Sequence, residues 1–260
     1  MNELNSLFRK RIGISESENI TFEILENVLE KTAKNIPFEN LCIIEKKTRD
    51  ITKENLIDKI LVRKEGGLCY ELNSLFYLFL IENGFKAVLA RGIVYNQATQ
   101  EFPTFGRTHV TIILMPQEEQ TYLIDTGFGG NLPLKPVPLS GETVMSPNGE
   151  FRIKQVDIPQ GNYILEMKLK HKDTDWKIGY AFDSKTTITD VSEFNETQTI
   201  IVEHPDSPFN KTPLITRLTN EGNVTLTDTS VTQWINGVVI KEKIDTVKFK
   251  ELLKHHFEIV

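Results

Sequence analysis

The hydrophobic period of this chain changes at Asn83-Gly84, and that change limits the folds open to it. Before this point apolar residues recur at helical spacing, and beyond it they alternate in steps of two. Thr21 stands where it can cap a helix carrying Phe22, Leu25, Val28 and Leu29, and Pro37 ends that helical stretch. A second helix is expected over residues 53–62, with Leu56, Ile57, Ile60 and Leu61 inward. A third begins at Cys69, carries Leu72, Leu75, Phe76, Phe79 and Leu80, and closes at Asn83-Gly84, a C-terminal helix signal. Strands are expected over 87–95, 108–115, 120–125, 150–156, 163–171 and 176–182, with the polar run 116–119 as a hairpin loop. These strands read as a small antiparallel barrel or sandwich. Residues 188–194 read as a short helical link. Beyond it come strands at 200–202, 214–218 and 223–228 and an amphipathic helix over 245–257. The whole is an α+β fold with borders near 84 and 195.

A length of 260 residues supports a sizeable core divided among one to three units. The net charge of −6 argues against nucleic acid as the main partner. No segment is apolar and long enough to span a membrane, and no secretion-type apolar stretch opens the chain, so a cytoplasmic location is expected. There the two cysteines, Cys42 and Cys69, would stay reduced. No Cys/His spacing suggests a metal, and no glycine loop of the nucleotide-binding types is present. His255-His256, in the last turn of the C-terminal helix, reads as solvated.

The run Gly66-Gly67-Leu68-Cys69 delivers a thiol to the first turn of a buried helix. Free N–H groups and the helix dipole there favour a thiolate. The two glycines leave room for a substrate carbonyl to approach the backbone. Cys69 is therefore a candidate nucleophile, whereas Cys42, within Asn40-Leu41-Cys42-Ile43-Ile44, reads as a small buried apolar residue. Such a nucleophile needs a base and a group to orient it. His109 opens one strand and Asp125 closes the next. If residues summing to about 234–236 pair across this hairpin, the two share a face. The carboxylate can then meet Nδ1 of the imidazole and leave Nε2 for the thiol. Taken singly, each has an ordinary structural explanation: a packing cysteine, a polar strand-start histidine, an Asp-Thr-Gly turn. His171 and His204 have no acidic hairpin partner and read as surface or structural residues.

The combination resembles the arylamine N-acetyltransferase family. The matching pieces are Arg11-Ile12-Gly13, Ile36-Pro37-Phe38-Glu39-Asn40-Leu41, Gly66-Gly67-Leu68-Cys69-Tyr70-Glu71-Leu72-Asn73, Thr108-His109-Val110, Asp125-Thr126-Gly127-Phe128-Gly129 and Ser207-Pro208-Phe209. The resemblance implies a helical N-terminal domain (1–84), an antiparallel β-barrel (85–195) and an α/β lid (196–260), around a core like that of cysteine proteases and transglutaminases. It implies Cys69 as acetyl acceptor, His109 as base and Asp125 as the residue that orients it. Acetyl would come from acetyl-coenzyme A and pass to an arylamine or arylhydrazine nitrogen or an arylhydroxylamine oxygen, without a metal, in a monomer or homodimer. Phe38 and Phe128 match acceptor-pocket positions, and Phe105 and Gly106 match a loop that meets coenzyme A. One position departs from the family pattern. Glu65 stands where relatives carry an arginine that looks like the partner of the glutamate here numbered Glu39, and Arg63 or Lys64 is expected to supply that cation instead. Two other readings share these residues: a cysteine hydrolase or transglutaminase-like enzyme, and a silent binder of arylamines or coenzyme A. Papain-type spacing fits poorly, because its histidine lies much further downstream.

Overall fold

The computed structural model describes residues 2–117 and 120–259. The tip of the expected 116–119 loop, Glu118-Glu119, lies outside the described residues. The N-terminal part is helical, as its 3.6-residue period requires: α1 (Glu3–Ile12), α2 (Leu25–Asn35), a two-residue strand β1 (Phe38–Glu39), α3 (Leu41–Ile44), α4 (Lys53–Leu56) and α5 (Cys69–Glu82). Thr21 precedes α2 by a 3₁₀ turn, Phe22–Ile24, and its side chain makes no capping hydrogen bond. From α4 the chain continues as a π-helical segment, Ile57–Val62. A π turn holds more residues than an α turn, so it changes which side chains face inward. Lys59 is buried there beside Ile57, Ile60 and Leu61, although a regular helix with that apolar face would turn it toward solvent.

Helix α5 is buried almost all round, from Cys69 to Leu80, so it runs through the core instead of lying on it. Phe8 of α1 packs against Phe76 and Phe79 of this helix, all fully or almost fully buried, with Phe8 stacked on Phe79 at 4.4 Å between ring centroids. After Gly84 the chain forms eight antiparallel strands: β2 (Ala87–Val94), β3 (His109–Gln117), β4 (Gln120–Ile124), β5 (Val137–Pro138), β6 (Val144–Ser146), β7 (Gly149–Ile158), β8 (Gly161–Leu169) and β9 (Lys177–Ile188). Their spatial order is β5-β4-β3-β2-β9-β8-β7-β6, a nearly closed barrel. α5 packs on β2 and β3, which brings its N-terminus to the end of β3 where His109 lies.

The C-terminal part contains α6 (Phe194–Glu203), β10 (Leu214–Leu218), β11 (Gly222–Thr227), β12 (Ser230–Ile235), β13 (Val238–Lys243) and α7 (Thr246–Phe257). β1 joins β10 to β13 as one antiparallel sheet, with Phe38 opposite Thr216. The expected strand at 200–202 is instead part of α6. Its β-branched run suggests a strand, but Phe194, Thr197 and Ile201 bury one helical face against the core, and that packing decides. The expected link at 188–194 is shorter: Ile188 ends β9 and only Val191–Glu193 form a 3₁₀ turn. β12 and β13 lie beyond the expected strands. They are joined at Asn236-Gly237, both with positive φ (50° and 86°), the backbone a two-residue hairpin turn needs. Among the described residues, no helix is long and apolar enough to cross a membrane.

Candidate active site

Cys69 is the first residue of α5, only 6 % exposed, and its thiol lines a cleft of ≈ 470 Å³. Its Sγ donates to the backbone carbonyl of Thr108 at 3.4 Å. The thiol therefore lies beside the backbone of His109, on the side of the ring nearest the main chain. His109 Nε2 is 2.8 Å from Asp125 Oδ2. This reverses the expected use of the two ring nitrogens: the carboxylate takes Nε2, and Nδ1 remains on the thiol side. The register gives the reason. β3 and β4 pair with Ile112 opposite Ile124, and the ladder stops there. On that register His109 would face Gly127, not Asp125, so the imidazole reaches back along the face and meets the carboxylate with its far nitrogen.

Asp125 is held from four sides. Oδ2 also accepts from Tyr180 Oη at 2.8 Å, and Oδ1 accepts from Asn73 Nδ2 at 2.9 Å and the Gly127 N–H at 2.7 Å. Asn73 stands one helical turn after Cys69. Its Nδ2 also donates to the Val110 carbonyl at 2.7 Å, and its Oδ1 accepts from the Thr126 N–H at 2.8 Å and Thr126 Oγ1 at 3.0 Å. One amide thus fastens α5, β3 and the segment after β4 into a single unit. Asn73 is legible from its i, i+4 position relative to Cys69. Tyr180 has no such signal, because sheet closure alone brings β9 to Asp125. Burial holds the Tyr180 phenol well above its ordinary value, with the Asp125 charge adding to it, so it stays a neutral donor.

Burial works against a charged imidazole at His109, but the Asp125 carboxylate and then Cys69 outweigh it and raise the ring from 6.5 to about 10. A folded value above the unfolded one stabilises the fold fully below pH 6.5, and this contribution is lost as pH rises through about 10. The melting-temperature advantage of the parent chain over His109→Gln is therefore expected to shrink across that window, and an advantage constant with pH would contradict the assignment.

Gly127 explains why the loop after Asp125 comes so near Cys69. A Cβ there would lie 2.5 Å from Cys69 Cα and 2.9 Å from Asn73 Nδ2. Gly127→Ala is expected to cost roughly 1–3 kcal/mol through overpacking and to displace Cys69 from His109. Calorimetry together with Cys69 alkylation would test both. Gly66 and Gly67 are used otherwise than expected. A Cβ on Gly66 would lie 2.0 Å from the Pro37 carbonyl, and one on Gly67 would lie 2.8 Å from Glu71 Oε2. The space is filled by the protein itself, since Glu39 donates its N–H to the Gly67 carbonyl at 3.0 Å.

Aromatic rings form the cleft walls. Phe38, Phe105, Phe128 and Phe209 line it with Cys69 and His109, and Phe38 meets Phe209 edge-on at 5.7 Å. Gly106 lies beside Phe105 along a shallow surface depression with His204, not along the cleft. His204 packs against Phe105 at 5.3 Å, while His171 lies on a separate, more polar cavity. Cys42 is half-buried. Burial first, then the Glu71 charge, raises its thiol to about 12.

The cation near Glu39 comes neither from Arg63 nor from Lys64. Arg63 is partly exposed and pairs with Asp58 and Glu65, and Lys64 is exposed with φ +60°. Lys59 supplies it, with Nζ 2.7 Å from Glu71 Oε1 and 3.3 Å from Glu39 Oε1. The π-helical turn carries it inward, a feature that the spacing of apolar residues does not reveal.

A thiol, an imidazole and a carboxylate meeting at one aromatic cleft, on a helical unit packed against an antiparallel barrel, define an acyl-transferring class of enzyme. A family model described as N-acetyltransferase matches residues 21–260, and the chain belongs to the arylamine N-acetyltransferase family. It is 40 % identical to the protein named uncharacterized acetyltransferase YvcN of Bacillus subtilis, over 93 % of each chain. Its fold matches arylamine N-acetyltransferase C of Bacillus anthracis over the full length of both chains, with a TM-score of 0.94 and 40 % identity. An arylamine N-acetyltransferase of Bacillus cereus, 42 % identical with a TM-score of 0.93 over both full chains, is described as having a unique Cys-His-Glu catalytic triad. The present chain has an aspartate bonded to its histidine. The more distant Mycobacterium marinum enzyme, solved in complex with CoA, is 25 % identical with a TM-score of 0.85 over 98 % of this chain and 92 % of its own.

Proposed function

We propose that the protein transfers acetyl from acetyl-coenzyme A to arylamines, arylhydrazines or arylhydroxylamines through an acetyl-Cys69 intermediate. The observation that carries this reading is the Cys69 thiol on the floor of an aromatic cleft, beside the His109–Asp125 pair. The donor is supported by the CoA-bound relative and the acceptor class by the family. The site would lie where a helical unit (1–84), a barrel (85–195) and an α/β lid (196–260) meet.

His109 holds the proton of the pair, and its positive charge favours a thiolate beside it. The thiolate attacks the thioester carbonyl, and the Cys69 backbone N–H, at the first position of α5, helps stabilise the oxyanion. The C–S bond to coenzyme A breaks, and the leaving thiolate takes the proton from His109. A neutral amine then attacks acetyl-Cys69 and gives its proton to His109. The bond to Cys69 Sγ breaks, releasing the amide and restoring the imidazolium–thiolate pair. Asp125 keeps the ring oriented and supports its charge throughout. Phe38 and Phe128 hold the aryl ring, and Phe105, with its neighbour Gly106, contacts coenzyme A. The reacting groups exchange one thioester for another, so the first step is nearly balanced and each substrate can be handled in turn.

Mixing the protein with acetyl-CoA without an acceptor is expected to add roughly 42 Da to the peptide containing Cys69. Ligand binding with no mass change would refute the covalent route. Steady-state kinetics are expected to give parallel double-reciprocal lines for donor and acceptor, and intersecting lines would count against alternation of the two substrates.

A further inference from the structure

We propose that Lys59 is a positioning residue for the nucleophile, its ammonium tying the first turn of α5 to the strand that carries Phe38. The proposal rests on Cys69 being the nucleophile. Lys59 is only 7 % exposed, and both partners are buried, Glu39 at 1 % and Glu71 at 4 %. Each carboxylate turns its other oxygen to a backbone donor at the site. Glu71 Oε2 accepts the N–H of Leu68, the residue before Cys69, at 3.0 Å. Glu39 Oε2 accepts the N–H of Leu41 at 2.5 Å, just past Phe38 in the cleft wall. One buried cation therefore sets two walls of the cleft by holding the carboxylates that cap them.

Without that charge, two carboxylates would face each other in a buried place, a cost several times that of an exposed ion pair. The groups facing Lys59 are Glu71 from α5, Glu39 from β1 and the Cys42 thiol from α3 at 3.2 Å; Glu65 acts from the following loop. Cys69 itself is faced by His109, with Asp125 behind it. The arrangement has one unfilled place. Glu39 Oε1 lies near the ammonium but accepts no hydrogen bond among the described residues. Residue 65 is half-buried and stands within electrostatic reach of both Glu39 and Lys59. An arginine introduced there would bring a second cation within electrostatic range of Glu39.

The test uses the full chain, with Lys59→Met and the double variant Lys59→Met/Glu65→Arg. Iodoacetamide alkylation of Cys69 is followed by peptide mass across the pH range of thiol ionisation, beside the melting temperature. Lys59→Met is expected to slow alkylation at neutral pH about tenfold and to move its profile upward, because uncompensated carboxylates disfavour a thiolate nearby. The double variant is expected to return to within about twofold of the parent, since only the origin of the cation differs. A folded Lys59→Met with the parent profile would overturn the proposal. If Lys59→Met does not fold, a folded double variant with the parent profile supports it, and a double variant that also fails to fold, or folds without regaining the profile, overturns it. Alkylation needs no acetyl-CoA. Loss of the acetyl-transfer reading would show in the parent chain as absence of acetyl-enzyme, separately from this result.

Discussion

Cys69→Ala is expected to fold like the parent chain and to transfer no acetyl group to any amine. The side chain is small, and removing one sulfur from the first turn of α5 leaves a cavity that should cost about 1 kcal/mol. The surrounding framework does not depend on it. Asn73 still joins α5 to Val110, Asp125 and Thr126, and His109 keeps its bond to Asp125. Only the atom proposed to carry the acetyl group is lost. Cys42→Ala should retain turnover, because burial raises that thiol to about 12 and leaves it protonated at neutral pH. Its cost should appear as a lower melting temperature through its contact with Lys59. Initial rates at saturating acetyl-CoA, with circular dichroism to check folding, separate the two variants. Measurable acetyl transfer by a folded Cys69→Ala would end the acetyl-cysteine reading.

Local patterns in this chain are legible as far as local physics reaches. The buried stripe after Cys69 marks the start and end of α5 within a residue, because few other conformations can bury Leu72, Leu75, Phe76 and Phe79 together. The meeting of His109 and Asp125 was legible because a hairpin is a short-range object with fixed periodicity. Which ring nitrogen meets the carboxylate was not legible, because it depends on where the ladder ends and on the thiol's contact with the Thr108 carbonyl. Tyr180 and Lys59 reach the site by closure of the barrel and by a widened helical turn. Neither leaves a mark at a fixed sequence offset. The Asn236-Gly237 hairpin is different: its turn signal stands in the sequence, and β13 comes after it as an exposed edge strand with Lys241, Glu242 and Lys243.

Glu65 stands outside the charge pairing that Lys59 makes with Glu39 and Glu71. Burial holds its carboxyl above the ordinary value, a shift that Arg63 offsets only in part. It rests 30 % exposed beside Arg63, at the margin of the buried cluster. Lys59 supplies the cation, and Glu39 and Glu71 cap the segments on which Phe38 and Cys69 stand. The charge balance of the site is therefore a property of the folded cluster and not of residue 65 alone.

Asp125→Asn is expected to give a folded protein whose acetyl transfer is lowered by about 10⁴-fold, the loss seen when a triad aspartate becomes an amide. The shape is unchanged, but the negative charge that outweighs burial at His109 is gone. The imidazole should then be neutral at pH 7, and the proton it shares with Cys69 should return to the thiol. The amide also cannot satisfy the four donors that now converge on the carboxylate: His109 Nε2, Tyr180 Oη, Asn73 Nδ2 and the Gly127 N–H. At least one would face an N–H instead of an oxygen, a cost of about 1–3 kcal/mol for a buried group left unpaired. Asp125→Glu separates charge from shape. The relative described with a Cys-His-Glu triad makes glutamate a chemically reasonable partner, but here the extra methylene must fit between Asn73, Tyr180 and Gly127. Its expected position is between the parent and Asp125→Asn in the rate of Cys69 acetylation, with a lowered melting temperature from overpacking. The decisive comparison is acetylation rate against pH for all three proteins. If charge at His109 governs the rate, Asp125→Glu keeps the parent's profile at reduced amplitude, and Asp125→Asn loses its plateau at neutral pH. A folded Asp125→Asn that acetylates Cys69 at the parent rate would mean that Asp125 does not support the imidazolium.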